Sequence, residues 1–227
     1  MIFAFWGIFV LSAGFSIYCR YNNRLWYNFA KPVPLFLLIG MYAMNPSSLA
    51  LYQLFLAGIV AGVVGDILLL REQTFRYGAA FFFLGHVLYI VAFYRMGGWP
   101  ALGVLLLILG YSVIYCVFLF RRLQTQGGVG NVWMGTPYLL MVSILLMFAS
   151  STVGQMGNRY TDVVSGGIPG IFQQMVLFGG ALLFYISDLV LVWNRYAGKF
   201  QAGQIVVLGT YYSAQALITW GALKYIS

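Results

Sequence analysis

Apolar runs of about 20 residues, the length that carries an α-helix across the hydrocarbon core of a bilayer, follow one another along nearly the whole chain. Bounded by polar, glycine or proline breaks, they fall at 2–19, 31–45, 49–70, 78–95, 99–120, 133–152, 170–193 and 203–225. A segment in lipid must satisfy its backbone N–H and C=O groups internally, so runs of this length predict helices. Charged residues make up only 7% of the chain, against about 25% in an ordinary soluble domain. The expected fold is all-α, a polytopic integral membrane bundle of eight transmembrane helices in one domain over residues 1–227. The first run has no basic residue before it and no clear small-x-small site after it, so it is read as a span and not as a cleaved signal.

Two further patterns agree with this segmentation. Trp6, Trp26, Trp99, Trp133, Trp193 and Trp220 all lie at or within a few residues of segment ends, where an interfacial aromatic belt would sit. Lys and Arg are distributed unevenly: nine follow segments 1, 3, 5 and 7, and three lie on the opposite side. By the positive-inside rule both termini then face away from the cytoplasm. The longest connection, Val153 to Pro169, is placed outside, with Arg159 and Asp162 as a solvated pair. The net charge of +8 flanks apolar runs instead of forming a stripe, which argues for the bilayer and against nucleic acid as the partner. No lipidation or retention signal marks the chain, and a bacterial inner membrane is favoured over endoplasmic reticulum.

Only four acidic residues occur, and two of them, Asp66 and Asp188, stand inside spans. An aspartate deep in a transmembrane helix costs about 2.5–3.5 kcal/mol on insertion scales, so each needs a compensating role. Asp66 precedes Arg71 by five residues and Asp188 precedes Arg195 by seven, which sets both at similar depth, roughly 7–11 Å from the basic boundary. Gly58, Gly62 and Asp66 share one helix stripe, and small-residue stripes are where membrane helices approach closely. The segment Gly65-Asp66-Ile67-Leu68-Leu69 echoes Ser187-Asp188-Leu189-Val190-Leu191 four spans later, which suggests a 4+4 parallel repeat.

Other polar side chains fall in the same half of the bundle. His86 and Tyr89 lie on segment 4, Tyr111 and Tyr115 on segment 5, Tyr138 on segment 6, Ser187 on segment 7, and Tyr211, Tyr212 and Gln215 on segment 8, while Lys31 opens segment 2 at the expected mouth. Together they predict a substrate pocket around the two aspartates. A single histidine cannot supply the usual catalytic zinc ligands, the two cysteines Cys19 and Cys116 form no metal motif, and no Gly-x-Ser-x-Gly elbow is present. No metal or cofactor is therefore expected. Two carboxyl groups in different surroundings can divide the roles of acid and base, which suits protonation of a substrate and activation of water. Intramembrane carboxylates also build proton relays, so a proton-coupled transporter or lipid scramblase is the alternative reading.

Lys31-Pro32, Gly65-Asp66-x-x-Leu69, Gly85-His86-x-x-Tyr89, Tyr185-x-Ser187-Asp188 with Arg195, and Tyr211-Tyr212-x-x-Gln215 together resemble the YhhN-like lysoplasmalogenase family over essentially the whole chain. The resemblance implies an eight-span hydrolase. Its substrate would be a lysophospholipid, the vinyl ether bond of a lysoplasmalogen being cleaved to a fatty aldehyde and a glycerophospho-ethanolamine or -choline. The family's paired aspartates map onto Asp66 and Asp188, with looser correspondence at Lys31, His86, Tyr211 and Gln215.

Overall fold

The computed structural model describes residues 2–125, 132–154, 171–198, 200 and 202–226. Among these residues every regular element is helical. Each of the eight apolar segments is a helix: α1 (Ile2–Tyr21), α3 (Val33–Met44), α4 (Ala50–Leu68), α5 (Phe75–Gly97), α6 (Leu102–Thr125), α7 (Val132–Gly154), α8 (Ile171–Val192) and α9 (Gly203–Ile226), with one short turn, α2 (Tyr27–Ala30), before α3. Among the described residues, five are long and apolar enough to cross a membrane: Ala50–Leu68, Glu72–Gly97, Leu102–Arg122, Thr136–Val153 and Phe172–Ala197. The Arg159–Asp162 connection lies outside the described residues.

The second segment departs in detail from its expected 31–45 bounds. At 12 residues α3 is short, about 18 Å at 1.5 Å per residue. It is extended at its start by α2 through a joint at Lys31 and Pro32, both of which keep right-handed helical dihedrals. Pro32 and Pro34 lack the N–H groups that would close the helix across this joint. The Lys31 carbonyl accepts a bond from the Tyr212 hydroxyl of α9, at 2.9 Å.

Helix pairs α4/α5 and α8/α9 are the most extensively packed. The first turns through a 3-10 segment, Glu72–Thr74, where the Thr74 hydroxyl donates to the Leu68 carbonyl. The second turns after a π-helical stretch, Trp193–Ala197. Packing continues from α5 to α7, α7 to α8, α9 to α1, α1 to α3 and α3 to α4, closing a ring, while α6 leans on the outside of α7. Close approach depends on missing side chains. A Cβ on Gly58 would lie 2.7 Å from Tyr89 Cδ1 of α5, and one on Gly180 would lie 2.8 Å from Ile218 Cγ1 of α9. Leu, Phe and Tyr side chains such as Leu35, Leu38, Phe55, Phe93, Leu145 and Leu177 fill the interior.

Basic side chains mark one end of the ring. Arg20 at the end of α1 bonds Gln204 at the start of α9 and stacks over Tyr27. Arg195 after α8 makes a two-pronged contact with Glu72 at 3.0 and 3.1 Å and lies over the Phe75 ring.

Candidate active site

Asp66, one turn from the end of α4, is 1% exposed and faces the ring interior. Lys31 reaches it from the α2–α3 joint, with Nζ 3.1 Å from Oδ1 and 3.3 Å from the Asp66 carbonyl. Tyr211 of α9 donates its hydroxyl to Oδ2 at 3.0 Å. Its close approach uses the small-residue stripe, since a Cβ on Gly62 would meet the Tyr211 hydroxyl at 3.3 Å. Lys31 is thus buried as the counter-ion of Asp66 and not at the mouth. Around this pair, Tyr212 holds the Lys31 carbonyl and also bonds Ser16 of α1 at 2.9 Å.

Asp188 is 3% exposed on α8, and His86 of α5 faces it with Nε2 3.2 Å from Oδ2. This separation is within ion-pair reach but lacks hydrogen-bond alignment; Asp188 Oδ2 and both His86 ring nitrogens find no hydrogen-bond partner among the described residues. Tyr138 of α7 stands within electrostatic reach of Asp188 and sets its ring edge-on to His86 at 5.5 Å. A buried polar group with unspent hydrogen-bonding capacity is uncommon. Here three such atoms meet in one cluster.

The two clusters share a wall. Phe184, one turn before Asp188, packs edge-on against His86 at 4.8 Å and against Tyr211 at 5.5 Å. Tyr89 and Gln215 join α5 to α9 beside it through a 2.7 Å bond from the tyrosine hydroxyl to the amide oxygen. Ser187 turns away, donating to the Val207 carbonyl at 3.0 Å. Tyr111 is 53% exposed on the outer face of α6, and Tyr115 donates to the Leu189 carbonyl, so neither joins the aspartates. Among the described residues no three His, Cys, Asp or Glu side chains converge as metal ligands would.

A cavity of about 360 Å³ opens beside the second cluster, at the basic end between α5, α7 and α8. Phe75, Ala79 and Phe82 form one wall and Tyr138 reaches it from α7, with Arg76 and Arg195 among the lining residues. Phe82 also packs on Tyr211 at 5.7 Å, so one ring of the cavity wall separates the cavity from the Asp66 cluster. Read from the sequence, Phe184 is only a neighbour of Asp188 on one helix stripe and Arg76 only a topology charge, with no site role for either. A signal was present for the cavity wall, because Phe75, Ala79, Phe82 and His86 recur at the spacing of a single helix face.

The family model described as the YhhN family matches residues 26–222. The chain is 30% identical over 197 residues to lysoplasmalogenase TMEM86B of Homo sapiens, covering 86% of this chain and 74% of that one. It is 32% identical over 161 residues to lysoplasmalogenase TMEM86B of Sus scrofa, where the match covers 71% of this chain and 59% of the relative. A further relative, named an uncharacterized membrane protein YhhN, from Escherichia coli O157:H7, is 27% identical over 214 residues, 92% of this chain and 93% of its own. No solved structure matches the chain. With apolar helices throughout and membrane proteins as its relatives, the chain is a multi-pass integral membrane protein, and the match across most of its length establishes that it belongs to the YhhN family.

Proposed function

We propose that this chain is a membrane hydrolase that cleaves the vinyl ether bond of lysoplasmalogens, with Asp66 and Asp188 as its paired catalytic carboxyl groups. The observation that carries the reading is the buried His86–Asp188 contact, whose facing atoms have no other hydrogen-bond partner among the described residues and which sits beside a cavity through Tyr138. Relatives about 30% identical carry the name lysoplasmalogenase.

Cleavage of an enol ether begins with a proton on the β-carbon, which leaves an oxocarbenium ion on the oxygen-bearing carbon. Asp188 and His86 share the proton that starts this step. Water then adds to the cation, losing a proton, and the hemiacetal collapses to an aldehyde and the glycerol hydroxyl. Asp66 supplies the fixed negative charge across the Phe184 wall, with Lys31 balancing it and Tyr211 orienting it. This is the division of labour between two carboxyl groups seen in glycoside hydrolysis, applied to a related cation. Tyr89, Tyr212 and Gln215 hold the helices that carry the site.

The same partners support a two-half architecture of eight spans, and the Lys and Arg distribution supports both termini outside. Asp66 draws Lys31 from the joint before α3 and Tyr211 from α9, and Asp188 draws Tyr138 from α7 and His86 from α5. Shifting by four apolar segments turns α3 into α7 and α9 into α5, so one set of partners becomes the other.

The test is purified protein in detergent given a vinyl ether lysophospholipid, with aldehyde release measured beside the saturated ether analogue. Wild type is expected to release aldehyde from the vinyl ether alone, and Asp66→Asn and Asp188→Asn to release none while remaining folded. Wild-type turnover by both variants would remove the aspartates from the chemistry and favour a transport role.

A further inference from the structure

We propose that Arg76 binds the phosphate of a single-chain phospholipid whose glyceryl portion occupies the α5/α7/α8 cavity. The inference rests on the lysophospholipid reading above and assigns the recognition element of that site. Arg76 stands at the start of α5 and lines the cavity together with Arg195. The two arginines differ in what they already hold. Arg195 is engaged by Glu72 at 3.0 and 3.1 Å, whereas no carboxylate among the described residues pairs with Arg76. Lys31, the other basic side chain near the site, is spent on Asp66. A guanidinium with open donors on the wall of a mostly apolar cavity fits an anionic head on an apolar body.

The dimensions agree. Phe75, Ala79 and Phe82 line one face of α5, and His86 follows on that face. From Arg76 to His86 the helix rises about 15 Å. Seven covalent bonds separate the phosphorus of a lysoplasmalogen from its vinyl β-carbon, roughly 9 Å when extended, which carries the enol ether from the Arg76 side of the cavity most of the way along α5 toward His86. A phosphate held by Arg76 therefore sets the enol ether toward Tyr138, the lining residue beside the His86–Asp188 pair. The cavity volume, about 360 Å³, falls in the range of small-molecule sites.

The experiment measures equilibrium binding of radiolabelled 1-O-hexadecyl-lysophosphoethanolamine and of 1-O-hexadecylglycerol to the full chain in nanodiscs. Both are saturated ethers that an enol ether hydrolase leaves intact, so the result stands apart from aldehyde release. Arg76→Gln is expected to weaken the phosphate-bearing ligand tenfold or more and leave the phosphate-free one within twofold. Arg71→Gln, a neighbouring basic residue outside the cavity lining, should leave both within twofold. Ala79→Phe, which fills the cavity, should weaken both ligands. Unchanged phospholipid binding by Arg76→Gln, an equal loss with Arg71→Gln, or full binding by a folded Ala79→Phe protein would each overturn the assignment.

Discussion

Lys31 and Asp66 lie 3.1 Å apart although 35 residues separate them, and both side chains are almost wholly withdrawn from the surface. The joint before α3 is what permits this, because it lets a lysine at the end of a segment turn inward. A paired charge of this kind is held by its partner: removing one member of a buried pair costs about 3–5 kcal/mol, whereas removing both can be close to neutral.

Lys31→Met is therefore expected to lower thermal stability strongly, by an amount on the order of 3–5 kcal/mol. The Lys31→Met/Asp66→Asn double variant should recover most of that loss and none of the hydrolase activity. Thermal unfolding in detergent, followed by intrinsic fluorescence, checks both arms. Equal stability of Lys31→Met and wild type would mean that the contact carries no net energy.

Gly58 is a second point where one atom decides the packing. Gly58→Ala puts a methyl group against the Tyr89 ring, whose hydroxyl is tied to Gln215. Overpacking of this kind costs about 1–3 kcal/mol. A fall in melting temperature is expected for Gly58→Ala, and Tyr89→Leu in the same background should restore part of it by removing the obstructing ring.

Much of this site was legible in the sequence because burial of charge is expensive in lipid. Asp66 and Asp188 stand out for that reason alone, and the stripe of Gly58 and Gly62 points Asp66 inward. Lys31 was legible only as a basic residue at a span boundary, since a lysine that snorkels and a lysine that turns inward have the same spacing. Tyr111 and Tyr138 illustrate the limit set by rotation: each is a tyrosine near the right depth, but α6 packs outside the ring and presents Tyr111 outward. Pairing across the bundle, as between Tyr211 and Asp66, depends on ring closure and leaves no local mark on either segment.

The basic end predicts the orientation. Arg20, Arg71, Arg76 and Arg195 gather where α1, α4 and α8 end and α5 begins, while Arg95 and Lys224 lie toward the ends of helices running the other way. By the positive-inside rule the Arg195 end is expected in the cytoplasm. A reporter active only outside the cytoplasm, fused after Ser227, should be active, and one fused into the α4–α5 turn should be silent. The reverse pattern would invert the bundle and put the cavity mouth on the other face.

The final prediction separates a working His86 from a packing one. His86 is 1% exposed and lies against Tyr138 and Phe184, so any replacement disturbs some packing. What only a proton-transfer role requires is an ionisable ring facing Asp188. His86→Gln keeps hydrogen-bonding groups of similar size but cannot exchange a proton near neutral pH. A positioned acid or base contributes about 10²–10⁴ in rate. His86→Gln is therefore expected to lower kcat by about 10²-fold or more, with little change in KM or in binding of the saturated ether lysolipid. Tyr138→Phe, which removes the hydroxyl near Asp188 and leaves the ring, should lower kcat less and act through the surroundings of Asp188. A merely structural histidine would give a lower melting temperature and a smaller folded fraction, yet full turnover per folded molecule. Specific activity corrected for folded protein, measured across pH for wild type and both variants, decides between the two: loss of kcat in His86→Gln together with loss of one limb of the wild-type pH profile assigns the proton to the His86–Asp188 pair, and an unchanged profile removes it.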